Sequence, residues 1–152
     1  MKRLNLLIVV FSTLLLCPLL ITSAQDLSTY NMIGEKLSTV ITKYGKPVHH
    51  DKSEPEMECV FYKTKTYQMV FVANPKGVYQ VQGFNIFSEK ASADKILNEL
   101  LADCRKQGFT TDTLNVSEYD LRAKNIEVKF SLFENPHSHK YELKMEAFKR
   151  EG

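Results

Sequence analysis

The chain has 152 residues, 43% of them hydrophobic and 25% charged, proportions that fit one compact domain and exclude an extended disordered region. Its net charge of +2 rests on Lys2 and Arg3: the first 24 residues hold no acid, and beyond them 18 basic side chains meet 18 acidic ones. A neutral remainder has no global field to draw nucleic acid or an anionic membrane.

Residues 1–24 read as a secretory signal peptide. Lys2 and Arg3 make the positive start, Leu4 to Leu20 the apolar run, and Thr22-Ser23-Ala24 the small-residue exit. Cleavage after Ala24 leaves one domain over 25–152 in the periplasm or outside the cell, with no stable membrane span. Cys17 follows Leu16 and precedes Pro18, a poor match to the small residue that lipoproteins place before an acylated cysteine. Removal of the leader leaves Cys59 and Cys104. An even count in an exported chain invites a disulfide between them, stapling a strand to a helix, and two buried thiols that never meet are the alternative.

Gln25 to Asn31 is polar and reads as a loose lead-in. Ile33, Leu37, Val40, Ile41 and Tyr44 share one helical face, which predicts a helix over Gly34 to Tyr44, stopped by Gly45 and Pro47. Val48 to Glu58 is charged and aperiodic and reads as a long, functional loop. Strands follow at Glu58 to Lys63, Tyr67 to Ala73 and Val78 to Phe87, the last with a bend expected at Gly83. The middle strand is apolar on both faces and is expected to lie centrally. Asn74-Pro75-Lys76-Gly77 is the turn between the second and third strands.

A second helix is predicted from an N-cap at Ser92, on the stripe Ala93, Ile96, Leu97, Leu100, Leu101 and Cys104, ending at Gly108. Phe109 to Tyr119 suggests an irregular strand and Asp120 to Asn125 a turn. Ile126 to Phe133 and Tyr141 to Phe148 alternate apolar and polar, joined by a wide loop through Asn135 and Lys140. The fold class is therefore α+β: two tandem helix-plus-antiparallel-meander units (αβββ-αβββ), residues 33–90 and 91–148, with the helices on one face of a curved antiparallel sheet.

Chemistry is sparse. The four histidines form two groups, His49-His50 and His137-x-His139, both in predicted loops. Such pairs can share a metal, but the spacing matches no strong motif and no metal or cofactor is assigned. There is no Gly-x-Ser-x-Gly elbow, phosphate loop or His-Glu-x-x-His. Cys59 with a loop histidine would be the nearest approach to a nucleophile and base, and thiols that read as buried are inert. Lys149-Arg150-Glu151 and two shorter charge clusters read as solvated surface, and Asn115-Val116-Ser117 fits a glycosylation sequon. Phe133 and Phe148 occupy outward strand positions, where aromatic rings among polar neighbours suit recognition of another protein.

The run Gly34-x-x-Leu37-x-x-Val40-x-x-x-Tyr44-Gly45-x-Pro47, followed by Phe61-Tyr62, Val70-Phe71 and Gly77-Val78, resembles the SmpA/OmlA (BamE-like) family and the related β-lactamase inhibitor protein fold over residues 33–87. The doubled unit is the more similar to the inhibitor protein, which pairs two such modules into one curved sheet. The resemblance implies an exported, non-enzymatic protein-binding or inhibitor-like role and carries over no contact residue. A carrier of a small apolar ligand held between the sheet and the second helix is the alternative, and metal handling through the loop histidines a third.

Overall fold

A computed structural model describes residues 27–150 apart from Pro55. The predicted leader, its cleavage point and Cys17 lie outside the described residues. The chain forms a short 3-10 helix, Ser28–Met32, then α1 (Leu37–Tyr44), β1 (His49–Asp51), β2 (Glu58–Lys63), β3 (Tyr67–Asn74) and β4 (Gly77–Phe87). It continues with α2 (Lys90–Lys106), β5 (Thr110–Asn115), β6 (Glu118–Ala123), β7 (Ile126–Glu134) and β8 (Tyr141–Lys149). All eight strands form one antiparallel sheet in the order β1-β2-β3-β4-β8-β7-β6-β5. The class is α+β, mostly sheet.

The register explains the core. One line of paired residues runs edge to edge: His50, Val60, Phe71, Val81, Ala147, Val128, Leu121 and Thr111. The six between the ends have no exposed surface. A parallel line holds Tyr62, Met69, Gly83, Met145, Phe130 and Tyr119. Side chains alternate along a strand, so both lines lie on one face, and that face carries the helices. Leu97, Leu100, Leu101 and Cys104 of α2 are buried there with Val40 of α1. The ring of Tyr44, ending α1, lies 5.4 Å from Phe71 and 5.8 Å from Tyr62, whose hydroxyl donates to Gly45 O at 3.0 Å.

Several expectations are corrected. Each helix is followed by four strands, where the sequence pattern predicted three. The stretch read as a loop over 48–58 contains β1, whose residues His-His-Asp carry no apolar alternation; it is an edge strand of three residues, and edges are where polar side chains are tolerated. The stretch 120–125, read as a turn, is mostly β6: Tyr119, Leu121 and Ala123 face the core while Glu118, Asp120 and Arg122 face away. The turn before it is Val116-Ser117, where Asn115 Oδ1 accepts from Ser117 N at 2.8 Å. The helix α1 starts at Leu37, not Gly34, because β4 uses that backbone. Gly34 N donates to Val78 O at 2.7 Å, and Val78 N donates to Glu35 O at 2.8 Å. The helix α2 begins one turn earlier than Ser92 suggested, with Glu89 at the N-cap and a Lys90–Asp94 ion pair along its first turn. The irregularity in β4 falls at Tyr79, an extra residue between the pairs Val72–Gln80 and Ala73–Val78, and not at Gly83.

The lead-in is not loose. Leu27, Thr29, Tyr30 and Met32 are buried. Gly83 has no side chain where Leu27 enters: a Cβ there would stand 3.0 Å from Leu27 Cδ2 and 3.2 Å from Met145 Cε. Tyr30 sits edge-on between Phe109 and Phe130, at 5.8 and 6.4 Å, and its hydroxyl donates to Asp103 Oδ2 at 2.7 Å. Gln107 Nε2 donates to the same carboxylate oxygen at 2.8 Å.

Two predictions follow from these contacts. A Cβ on Gly77, at φ +125°, would lie 2.7 Å from Gly34 O and 2.9 Å from Glu35 O, whereas one on Gly45, at φ +81°, meets nothing within 4 Å. Gly77→Ala is expected to cost more than ~2 kcal/mol and Gly45→Ala about 1 kcal/mol in urea unfolding; equal costs would mean the close approach at Gly77 is not a constraint. The Tyr30 phenol is pushed far up from its ordinary value, first by burial and then by the Cys104 thiol and Asp103 carboxylate beside it. Folding therefore favours the protonated phenol, a contribution complete below the unfolded tyrosine value of about 10 and lost as pH rises above it. Stability should fall above that pH, and Tyr30→Phe should lower stability at neutral pH by about 1 kcal/mol while flattening the alkaline fall.

Candidate functional site: the outward face of the sheet

With the helices on one face, the register assigns the opposite face residue by residue. One outward line is His49, Phe61, Val70, Gln82, Glu146, Lys129, Asp120 and Asp112; the next is Asp51, Cys59, Val72, Gln80, Phe148, Glu127, Arg122 and Thr110. On β2 and β3 the face is mainly apolar, with Phe61, Val70 and Val72, and on β7 and β6 it is charged, with Phe148 of β8 between them. In the charged half Lys129 pairs with Glu127 at 3.4 Å and Arg122 with the buried Asp120 at 3.7 Å. The apolar half is built from Phe61, Val70 and Val72, all half-buried, with the His49 ring 5.4 Å from Phe61. Between the halves lies a shallow hollow of about 260 Å³, walled by Val70, Gln82, Phe84, Lys144 and Glu146. No helix of the described residues lies on this face.

The residues singled out from the sequence fall in different places. Phe133 is outward on β7, 37% exposed, with Lys144 Nζ 4.8 Å from its ring centroid. It stands between two further hollows of about 500 and 210 Å³ that share Ser117 and Leu132 with it. Val116, 91% exposed, and Leu114, 58% exposed, extend this corner at the β5–β6 turn. Phe148 is also outward but half-buried, and it pairs with Gln80 and Glu127. Phe133 pairs with Glu142, six residues from Phe148 along β8, so the two rings lie roughly 20 Å apart and make no single patch. Phe148 instead borders the apolar half through Gln80 and Val72.

The histidines do not converge either. His49 and His50 are on β1 at one edge, and His137 and His139 are in the β7–β8 loop, on strands at least four places away, roughly 19 Å across the sheet. His50 Nε2 contacts Glu58 Oε1, which Lys52 Nζ also approaches at 3.7 Å. His139, at φ 52°, holds Nδ1 3.3 Å from Glu134 Oε1. Among the described residues no group of three or more His, Cys, Asp or Glu is arranged to hold a metal ion.

The expected Cys59–Cys104 bridge is not formed: both are free thiols. Cys59 faces outward on β2, whereas Cys104 is buried on the core side of α2, so the sheet stands between them. Burial pushes the Cys59 thiol up from its ordinary range, and the charges of Asp51 and Glu58 add to this. Burial likewise raises Cys104. Neither environment favours the thiolate, the nucleophilic form.

Sequence reasoning missed Phe61, Val70 and Val72 as surface residues. Their signal is the two-faced apolarity of the strand Tyr67 to Ala73, which predicts only that the strand lies centrally. The strand is indeed interior to the sheet, but only one of its faces is covered by a helix among the described residues. No helix of these residues is long and apolar enough to cross a membrane. No family model, curated protein or solved structure matches the chain.

At neutral pH Cys59 is expected to alkylate several-fold more slowly than a cysteine in an unstructured peptide, and Cys104 only after denaturation. The Cys59 rate should climb as pH rises beyond the ordinary thiol range, and Asp51→Asn should raise it at fixed pH. Intact-mass kinetics with iodoacetamide measure this. Rapid alkylation of both, or a protein refractory to alkylation even when unfolded without reductant, would contradict the two free, shielded thiols.

Proposed function

We propose that the chain is an exported, non-enzymatic module that binds a protein partner through the outward face of its sheet. The observation that carries this reading is the contiguous apolar surface of Phe61, Val70 and Val72, bordered by His49 and Phe148, on a face over which no helix of the described residues packs. Exposed contiguous apolar surface rimmed by polar groups is characteristic of interaction sites. Here the rim is Gln80, Gln82 and, beyond β8, the paired charges of β7 and β6. The Phe133 corner, where Val116 and Leu114 are exposed nearby in the chain fold, is a second apolar surface.

The strand order supports reading the halves as tandem units of one plan. In each, a helix precedes a meander, and the two meanders join through their last strands, β4 and β8. The resemblance to the BamE-like family and the inhibitor protein fold implies two modules sharing one sheet, though with three strands in each and not four. Export to the periplasm or the exterior rests on the leader sequence, with processing after Ala24. The chemistry of the described residues favours binding over catalysis, since both thiols are shielded and His50 is engaged with Glu58. The space between α2 and the sheet is occupied by Ala93, Leu97, Leu100, Leu101 and Cys104, which weakens the case for a ligand carried there.

The test compares variants in cross-linking from the producing cell's exported fraction. Phe61→Ser with Val70→Ser, and separately Phe133→Ser, are expected to stay folded, each change costing about 1 kcal/mol. The first pair should abolish a cross-linked partner that wild type retains, while Lys95→Ser on the exposed side of α2 should leave it unchanged. Folded variants that keep the partner at wild-type yield would remove the sheet face as the contact. N-terminal sequencing of the exported protein should begin at Gln25.

A further inference from the structure

At one end of the sheet three chain segments meet around a hollow of about 660 Å³. The β3–β4 turn contributes Asn74 and Lys76, the β6–β7 turn contributes Asn125, and the end of β8 contributes Lys149 and Arg150, with Tyr79 of β4 in the wall. Glu56, from the β1–β2 connection, is the one acid among the lining residues. Among the described residues the hollow is therefore lined by three basic residues and one acid, in a chain whose composition is otherwise balanced.

Main-chain hydrogen bonds hold the backbone at two of the three cationic residues. Lys76 N donates to Asn74 Oδ1 at 2.9 Å, which sets the turn. Arg150 N donates to Asn125 O at 2.8 Å, which pins the end of β8 against the β6–β7 turn. Lys76, Lys149 and Arg150 make no ion pair among the described residues, in contrast to Lys52, Lys90, Arg122 and Lys129. Tyr79 is the extra residue that shifts the β3–β4 register. Such bulges re-aim a side chain and recur beside functional sites. In this case the re-aimed phenol lines the same hollow as the three cations.

We propose that this hollow is a binding site for a phosphomonoester. A dianion offsets the mutual repulsion of three converging cations. Arginine and lysine donate charge-assisted hydrogen bonds to its oxygens, and the Tyr79 hydroxyl and Asn125 amide supply neutral donors. The volume falls within the range of small-molecule sites, so it admits the phosphate with an attached organic body. The group belongs to a free phosphorylated metabolite or to a monoester lipid headgroup, and the two share this chemistry. The site is separate from the outward sheet face and does not depend on it.

The test uses amide chemical-shift mapping on the full exported chain with glycerol phosphate, and co-sedimentation with phosphatidylcholine vesicles with and without phosphatidic acid. Saturable shifts at Lys76, Tyr79, Asn125 and Arg150 with glycerol phosphate establish the free ligand as a source. Sedimentation that requires phosphatidic acid, without shifts from glycerol phosphate, establishes the headgroup. In whichever arm binds, Lys76→Ala with Arg150→Ala is expected to weaken affinity by about tenfold or more, and Lys149→Arg to preserve it. Shifts confined to other residues, no binding in either arm, or a folded double variant with wild-type affinity would overturn the proposal. The wild-type shift map stands by itself should the double variant fail to fold.

Discussion

The pairing of β4 with β8 is the constraint on which the rest of the structure depends. It joins two meanders at their last strands, and its register places Val81 opposite Ala147 and Gly83 opposite Met145. Because a slip of one residue exchanges the two faces of a strand, this single alignment decides whether Phe71 and Val128 belong to one core or two. In the register adopted, six fully buried side chains form one line across six neighbouring strands. Each aliphatic or aromatic member buries surface of the order of ~2 kcal/mol, and the loss would be collective if the seam shifted.

The N-terminal 3-10 helix lies over that seam. Leu27 enters where Gly83 leaves room beside Met145, and Tyr30 reaches between Phe109 and Phe130 to Asp103 on α2. The same segment continues into Gly34 and Glu35, whose backbone bonds hold the start of β4. A segment that looks dispensable by composition thus connects both central strands, the second helix and the turn before β4. The loss of a side chain at Gly77 and Gly83 is what permits this approach.

Among the described residues no helix covers the other sheet face, and the outward residues are graded across it. Apolar side chains gather on β2 and β3, and paired charges on β6 and β7. The division gives the proposed protein-binding face an apolar centre and a charged flank, the general anatomy of recognition surfaces. The hollow proposed to take a phosphate sits at the strand ends, lined by Lys76, Lys149 and Arg150. The proposed recognition face and the proposed anion site use different residues of one scaffold.

By itself the sequence determined the α+β class, the two helices, the strands at 58–63, 67–73, 78–87, 126–133 and 141–148, and the stops at Gly45 and Gly108. Those features are local: they rest on periodicity and on glycine or proline, and neighbours only reinforce them. Tertiary structure decided what periodicity does not encode. It made a strand of His49–Asp51, whose polar residues gain order only by pairing with Phe61, Val60 and Cys59. It buried the polar-looking lead-in, set Cys59 and Cys104 on opposite sides of the sheet, and separated Phe133 from Phe148 along β8. The double-faced apolarity of Tyr67 to Ala73 was legible, but whether the second face met a helix or solvent was not, because coverage is a property of how distant segments pack. The gathering of Lys76, Lys149 and Arg150 was hidden for the same reason: residues more than seventy positions apart become neighbours only when β4 and β8 pair.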